Sequence, residues 1–307
     1  LLARPAKRLV NSPSDHAKGL LLTAIGGLTL TVDIPLIRLA QGEPWSILMV
    51  RCATTVFTAL VIWLIWRSIS PKAPALLPGW TGVIVAALYG VSSITFITAV
   101  YNTSTANLVF ILAFNTMFAA LLSWIFLGQR PAKATLITMA VMIFGVLIIV
   151  WDSVGSGNLF GDLMAACSAF LIASAITISR HSGKDMGFTA LIGVIFPMIV
   201  AALMVSKTGY RIDAPWWIIF NGAVIMPISF YCLATGPRFL SGPEVAMFYL
   251  LETVLAPVWV WLVFSETPST PTLIGGTILI CALVAHSLWQ LAQGRKAQAK
   301  GNFRHPA

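Results

Sequence analysis

Five full charges stand inside long apolar runs of this sequence: Asp33, Arg51, Asp162, Glu244 and Glu252. In a bilayer each costs roughly 2.5–3.5 kcal/mol unless it is paired, hydrated or protonated. Glu244 follows Ser241-Gly242-Pro243, a Ser-x-x-Glu start with proline in the first turn, which suits a helix cap. Glu252 lies eight residues further on, about 12 Å deeper at 1.5 Å per residue. No cap explains it, so it is a candidate for binding substrate or a proton. Asp162 falls near a span end, where hydration is expected. Asp33 and Arg51 flank a turn centred near residue 42 at similar distances, and an ion pair between them is expected. The alternative for Arg51 is receipt of a substrate carboxylate.

Uncharged groups recur at matching positions. Asn107 and Asn115 are eight residues apart, as are Glu244 and Glu252, so each pair is expected along one helix side facing an interior cavity. Ser92 and Ser229 add hydroxyls. Tyr89, Phe96, Tyr231 and Tyr249 are candidates for an aromatic wall, since an interior tyrosine needs a polar partner. Asn107, Asn115, Ser92 or Ser229 would donate to a carboxylate, and Glu252 would accept from an ammonium. These nine residues form the candidate substrate site. Cys52, Cys167, Cys232 and Cys281 are scattered through apolar runs without a CxxC pair. They indicate neither a metal site nor a disulfide framework. No HExxH, intramembrane aspartate pair, Ser–His dyad or GxxxxGK loop occurs, so neither an enzyme nor an ATPase is expected, and no cofactor.

Long helices must position these groups. The 307 residues are 58% hydrophobic and 9% charged, with a mean hydropathy of +0.89. Soluble domains carry about a quarter charged residues. Apolar runs fall at about 20–38, 45–66, 79–99, 104–127, 134–151, 159–179, 187–206, 215–235, 243–264 and 272–292. Each reaches the length of about 20 residues that a spanning helix needs. Trp45, Trp80, Trp216 and Trp217 at their ends read as interfacial anchors. Pro35, Pro197, Pro227 and Pro257 lie inside runs and are expected to kink them. The polar, basic stretch before Lys18 has no apolar centre, and no signal peptide is expected there. A net charge of +9 would suggest nucleic acid in a soluble chain, but here membrane topology explains it. With the N-terminus inside, 15 of the 19 lysines and arginines fall on the cytoplasmic side, against Arg38, Lys207 and Arg211 opposite. Both termini are expected in the cytoplasm.

An offset of 137 aligns 80–151 with 217–288 without a gap, matching Trp80 to Trp217, Ser92 to Ser229, Trp124 to Trp261 and Pro131 to Pro268. An offset of 142 sets Gly19 on Gly161 and Arg38 on Arg180. Five spans per repeat is odd, so the second copy enters from the opposite face. The expected fold is an all-α polytopic membrane protein of ten transmembrane helices in two inverted five-helix repeats. Its parts are a cytoplasmic segment 1–19, repeats 20–151 and 159–292, and a basic tail 293–307. Inverted repeats of this kind bind cargo between the halves near the midplane.

The stretch Leu251-Glu252-Thr253-Val254-Leu255-Ala256-Pro257 through Ser265-Glu266 resembles the EamA-type repeat signature of the drug/metabolite transporter superfamily. Asn115 and Gln129 stand at the positions of Glu252 and Glu266 in the first repeat, amides in place of acids. Phe126-Leu127-Gly128-Gln129-Arg130-Pro131 matches the family's span ending. Within the superfamily the chain is similar to YddG-type bacterial exporters of aromatic amino acids. The resemblance implies a monomeric secondary transporter in the bacterial inner membrane. It would export aromatic amino acids or similar small amphipathic metabolites, with the lipid bilayer as its surroundings and no nucleic-acid partner. Interior lysine and arginine are too few for a phosphorylated cargo.

Overall fold

The computed structural model describes residues 13–70, 75–128, 130–182, 184, 186–235 and 242–302. Gln129, Ser241 and the side chains of Glu244 and Tyr249 lie outside the described residues, as does most of the N-terminal segment.

The chain is an all-α membrane protein of ten spans. Span 1 comprises Pro13–Leu30 and Asp33–Leu39, span 2 Pro44–Ile69, and span 3 Gly79–Asn102. Span 4 comprises Thr105–Leu112 and Asn115–Leu127; spans 5 and 6 are Lys133–Ser156 and Leu159–Ser182. Span 7 comprises Thr189–Gly193 and Ile195–Thr208. Span 8 runs Pro215–Phe220, a π-helical stretch Asn221–Ile225, and Met226–Thr235. Spans 9 and 10 are Gly242–Phe264 and Thr270–Asn302.

Three of the interruptions follow from proline, which has no N–H to donate to the carbonyl four residues back. Pro35 leaves Thr31 without that bond, and span 1 breaks at Thr31–Val32. Pro197 does the same to Gly193 at the break of span 7, and Pro227 follows the π-helical turn of span 8. Pro257 is accommodated inside a continuous helix. Span 4 breaks at Ala113–Phe114 with no proline to mark the place.

The helix contacts obey the symmetry of inverted repeats. Span 3 packs on span 6, and span 8 on span 1; span 4 packs on span 6, and span 9 on span 1. Spans 2 and 7 pair, as do spans 5 and 10. Every one of these contacts maps onto another, or onto itself, when the repeats are exchanged. Between spans 5 and 10, Gly145 and Gly275 lie so close that a Cβ on either would stand 2.9 or 2.6 Å from the other's carbonyl oxygen. Small residues permit such backbone approach where no water drives association.

The connections after spans 1, 3, 5, 7 and 9 meet around one pocket, which fixes the alternation of span directions. Gly42 and Ile212 form an antiparallel bridge there, reinforced by N–H donation from Glu43 to Arg211 and from Asp213 to Gln41, both 3.0 Å. At the opposite face, Lys184 Nζ donates to the Pro78 carbonyl at 3.0 Å. Phe57, Phe126, Ile137, Phe144 and Trp151 project outward, each at least 60% exposed, as suits a lipid-facing surface. Trp80 and Trp216 are exposed at span ends, whereas Trp45 is half-buried against the core.

Candidate functional site

The break in span 1 places Asp33 at the first turn of a half-helix pointing towards the pocket face. Arg51 stands seven residues into span 2, about 10 Å from that face at 1.5 Å per residue. The two form a buried ion pair, with Arg51 Nη2 2.9 and 3.1 Å from the Asp33 carboxylate oxygens. Asn221 closes the triangle. It accepts from Arg51 Nε at 3.1 Å and donates from Nδ2 to Asp33 Oδ1 at 2.7 Å. Its place in the π-helical turn joins span 8 to spans 1 and 2. The same turn lets Thr55 donate to the Gly222 carbonyl at 3.0 Å.

Further groups complete the guanidinium's surroundings. Phe96 of span 3 presents its ring 5.5 Å from Arg51 Cζ, and the Met226 sulfur lies 3.1 Å from Nη2. A buried cation gains from both a carboxylate and an aromatic face. Arg51 Nη1 donates to none of the described residues. Glu252 reaches the same region from span 9, where Asp33 and Arg51 are the charges that act on it. Twelve residues from Phe264 put it about 18 Å from the pocket face, near the midplane of a hydrocarbon core about 30 Å thick. Its carboxylate has no hydrogen-bond partner among the described residues. One cluster thus offers a cation with a free donor, two carboxylates, an amide and an aromatic face.

The structure distributes the other expected site residues elsewhere. Asn107 donates to Ser153 Oγ at 2.9 Å and accepts from Thr272 at 2.7 Å. Asp162, which was expected to be hydrated, is 2% exposed. It accepts from Thr103 at 2.5 Å and lies 3.5 Å from Asn107 Nδ2. This network knits spans 3, 4, 5, 6 and 10 together beneath the pocket face. Ser92 and Ser168 share a hydrogen bond of 2.9 Å between spans 3 and 6. Ser229 Oγ is buried without a partner among the described residues. Asn115 begins the second half of span 4, and the break ahead of it separates its direction from that of Asn107. Tyr89 packs edge-on against Phe230 with centroids 6.5 Å apart. Tyr231 meets Trp66 in the same manner at 6.3 Å, and Trp66 also meets Phe188. These aromatic contacts lie towards the face opposite the pocket.

At the pocket itself, Arg38 pairs with Glu266. Asn221, Met226, Thr103, Ser153 and Thr272 are the polar or polarisable groups that sequence reasoning missed. A lone asparagine in the run 215–235 was the only available signal for Asn221.

Ten spans in inverted halves around a buried polar cluster define a membrane carrier. The EamA-like transporter family signature matches residues 17–151 and 159–288, and the chain belongs to that family. It is a multi-pass membrane transporter of small metabolites, which fits a carrier and not an enzyme. Two relatives, each named pseudopaline exporter CntI and found in two Pseudomonas aeruginosa strains, UCBPP-PA14 and PAO1, are 22% identical to it over 88% of this chain and 95% of theirs. A solved protein structure shares the fold, with a TM-score of 0.61 and 15% identity over 89% of this chain and 97% of that one.

Proposed function

We propose that the protein exports small zwitterionic metabolites with an apolar side chain, aromatic amino acids among them, across the bacterial inner membrane. The observation that carries this reading is Arg51 Nη1, which donates to none of the described residues, beside Asp33, Glu252 and the Phe96 ring. A cargo carboxylate binds that donor, and its ammonium binds the carboxylate of Glu252. A cargo ring packs against Phe96, with Tyr89 and Tyr231 along the way to the cytoplasm, each ring contact worth about 0.5–1.5 kcal/mol beyond area burial. Asn115 at the break of span 4 supplies a further polar group near the midplane. The halves rearrange about this cluster to expose it to either side. The transporter works as a monomer with both termini in the cytoplasm, in keeping with the 15-to-3 distribution of basic residues.

Counterflow in proteoliposomes tests the cargo, using phenylalanine, tryptophan, leucine, a sugar phosphate and pseudopaline. Phenylalanine and tryptophan are expected to exchange and the sugar phosphate to be refused. Preference for the sugar phosphate, or no exchange of either aromatic compound, overturns the reading. Pseudopaline is included because relatives at 22% identity bear its name. Exclusive exchange of it would replace aromatic amino acids as the cargo while leaving the carrier assignment in place.

A further inference from the structure

The pocket where five connections meet has a volume of about 990 Å³ and is lined by Arg38 and Glu266 together with Tyr101, Asn102, Arg211 and Asp213. Glu266 is held there as a ligand would be. Arg38 Nη1 donates to its Oε2, and the Thr105 N–H donates to its Oε1 at 2.9 Å. That N–H opens the first half-helix of span 4, whose positive end favours an anion. Arg38 Nη2 is meanwhile aimed by the Val100 and Thr103 carbonyls at 3.4 and 3.3 Å. Two more donors at this spot have no partner among the described residues: Arg38 Nε and Thr105 Oγ1 are both buried there. Buried polar groups left unpaired are costly, and these two flank the carboxylate that the neighbouring donors already hold.

We propose that these donors form a second cargo-binding site, selective for a small carboxylate, in which Glu266 is an internal stand-in for the cargo. The inference rests on the transporter reading above and extends it to the pocket face. Arg38 lies five residues beyond Asp33 in the same half-helix, about 7.5 Å nearer the pocket. A carboxylate released from Arg51 therefore meets a second guanidinium on the way out. It displaces Glu266, takes up the Thr105 N–H, and gains the two unsatisfied donors that Glu266 leaves empty. The displaced Glu266 faces the cargo ammonium. Exchange of one carboxylate for another opens this end of the molecule without exposing an unpaired cation.

Opposite effects of two substitutions distinguish this site from a purely structural ion pair. Asn102, exposed in the pocket lining, is replaced by cysteine, with the exposed Cys167 and Cys281 changed to serine, in purified protein in nanodiscs, where both faces are accessible. Phenylacetate is the probe, and its protection of that cysteine from a maleimide is compared with the parent protein. In Glu266→Gln, protection is expected at about fivefold lower phenylacetate, since a competing internal ligand has gone. In Arg38→Gln, protection is expected to be lost. Equal shifts in the same direction, no shift in either variant, or no protection in any of the proteins overturns the proposal. The readout needs no transported cargo, so a failure of counterflow strikes the transport reading alone.

Discussion

Gly222 touches the backbone of Arg51. A Cβ at position 222 would lie 2.5 Å from the Arg51 carbonyl oxygen and 2.1 Å from Thr54 Oγ1. Spans 2 and 8 therefore meet backbone to backbone beside the Asp33–Arg51–Asn221 triangle, and the missing side chain lets Asn221 reach both charges. Gly222→Ala is expected to lower the melting temperature of the detergent-purified protein, by overpacking worth about 1–3 kcal/mol. Unchanged stability would mean that the two spans separate without cost.

The triangle makes a graded prediction. Asp33→Asn leaves a buried guanidinium without its counter-charge, a loss of about 3–5 kcal/mol. Asn221→Ala removes hydrogen bonds but keeps the ion pair, at about 1–3 kcal/mol. Thermal unfolding should rank the wild type above Asn221→Ala, and Asn221→Ala above Asp33→Asn. A reversed order would show that the amide, and not the carboxylate, holds Arg51 in place.

Glu252 has no structural partner among the described residues, so its charge should matter to cargo and not to folding. Glu252→Gln is expected to keep its yield and melting temperature and to lower counterflow or alter its pH dependence. Wild-type counterflow across a pH series would return this residue to a packing role.

Asn107 should behave in the opposite way. Its amide joins Ser153, Thr272 and Asp162, so Asn107→Ala is expected to lower stability by about 1–3 kcal/mol for the groups left unpaired. The KM for any exchanged cargo should stay within about twofold, since stability changes at such sites leave distant binding nearly untouched. A large rise in KM at unchanged stability would place Asn107 in the cargo path.

The charge distribution makes a topological prediction. Lys184→Cys and Arg130→Cys are expected to resist an impermeant thiol reagent in intact cells, and Lys207→Cys to react with it. The inverse pattern would reverse the orientation, because Lys184 and Lys207 stand at opposite ends of span 7.

The ten spans and their inversion were legible because apolar length and odd repeat count constrain them directly. The Asp33–Arg51 pairing was legible too, since two opposite charges at matched distances from one turn have few other partners. Asn221 was not, because its reach depends on a π-helical turn whose sequence mark, Pro227, lies six residues away. Asn107 and Asn115 looked equivalent by spacing, yet the break at Ala113–Phe114 falls between them, so they do not share one continuous helix. Asp162 looked hydrated by its distance from the span end. What buries it is the packing of spans 3, 4 and 5 around it, which a one-dimensional depth does not contain. Sequence spacing reports position along a helix; it is silent on what stands across from it.

The interruptions of the spans fall unevenly between the repeats. Spans 1, 4, 7 and 8 are broken or π-helical, while their counterparts 6, 9, 2 and 3 are continuous. Each of these four related pairs thus joins an interrupted helix to a continuous one, and only spans 5 and 10 match. If the halves were identical, the state open to one side would be the state open to the other turned over, and the two would be equal in energy. With an interruption in one member of each of the four pairs, that degeneracy is lifted, and at zero gradient one orientation is the more populated. The carrier then has unequal apparent affinities at its two faces. The net direction of flow still comes from the gradients, but the cargo concentration at which each side saturates is written into which helix is interrupted.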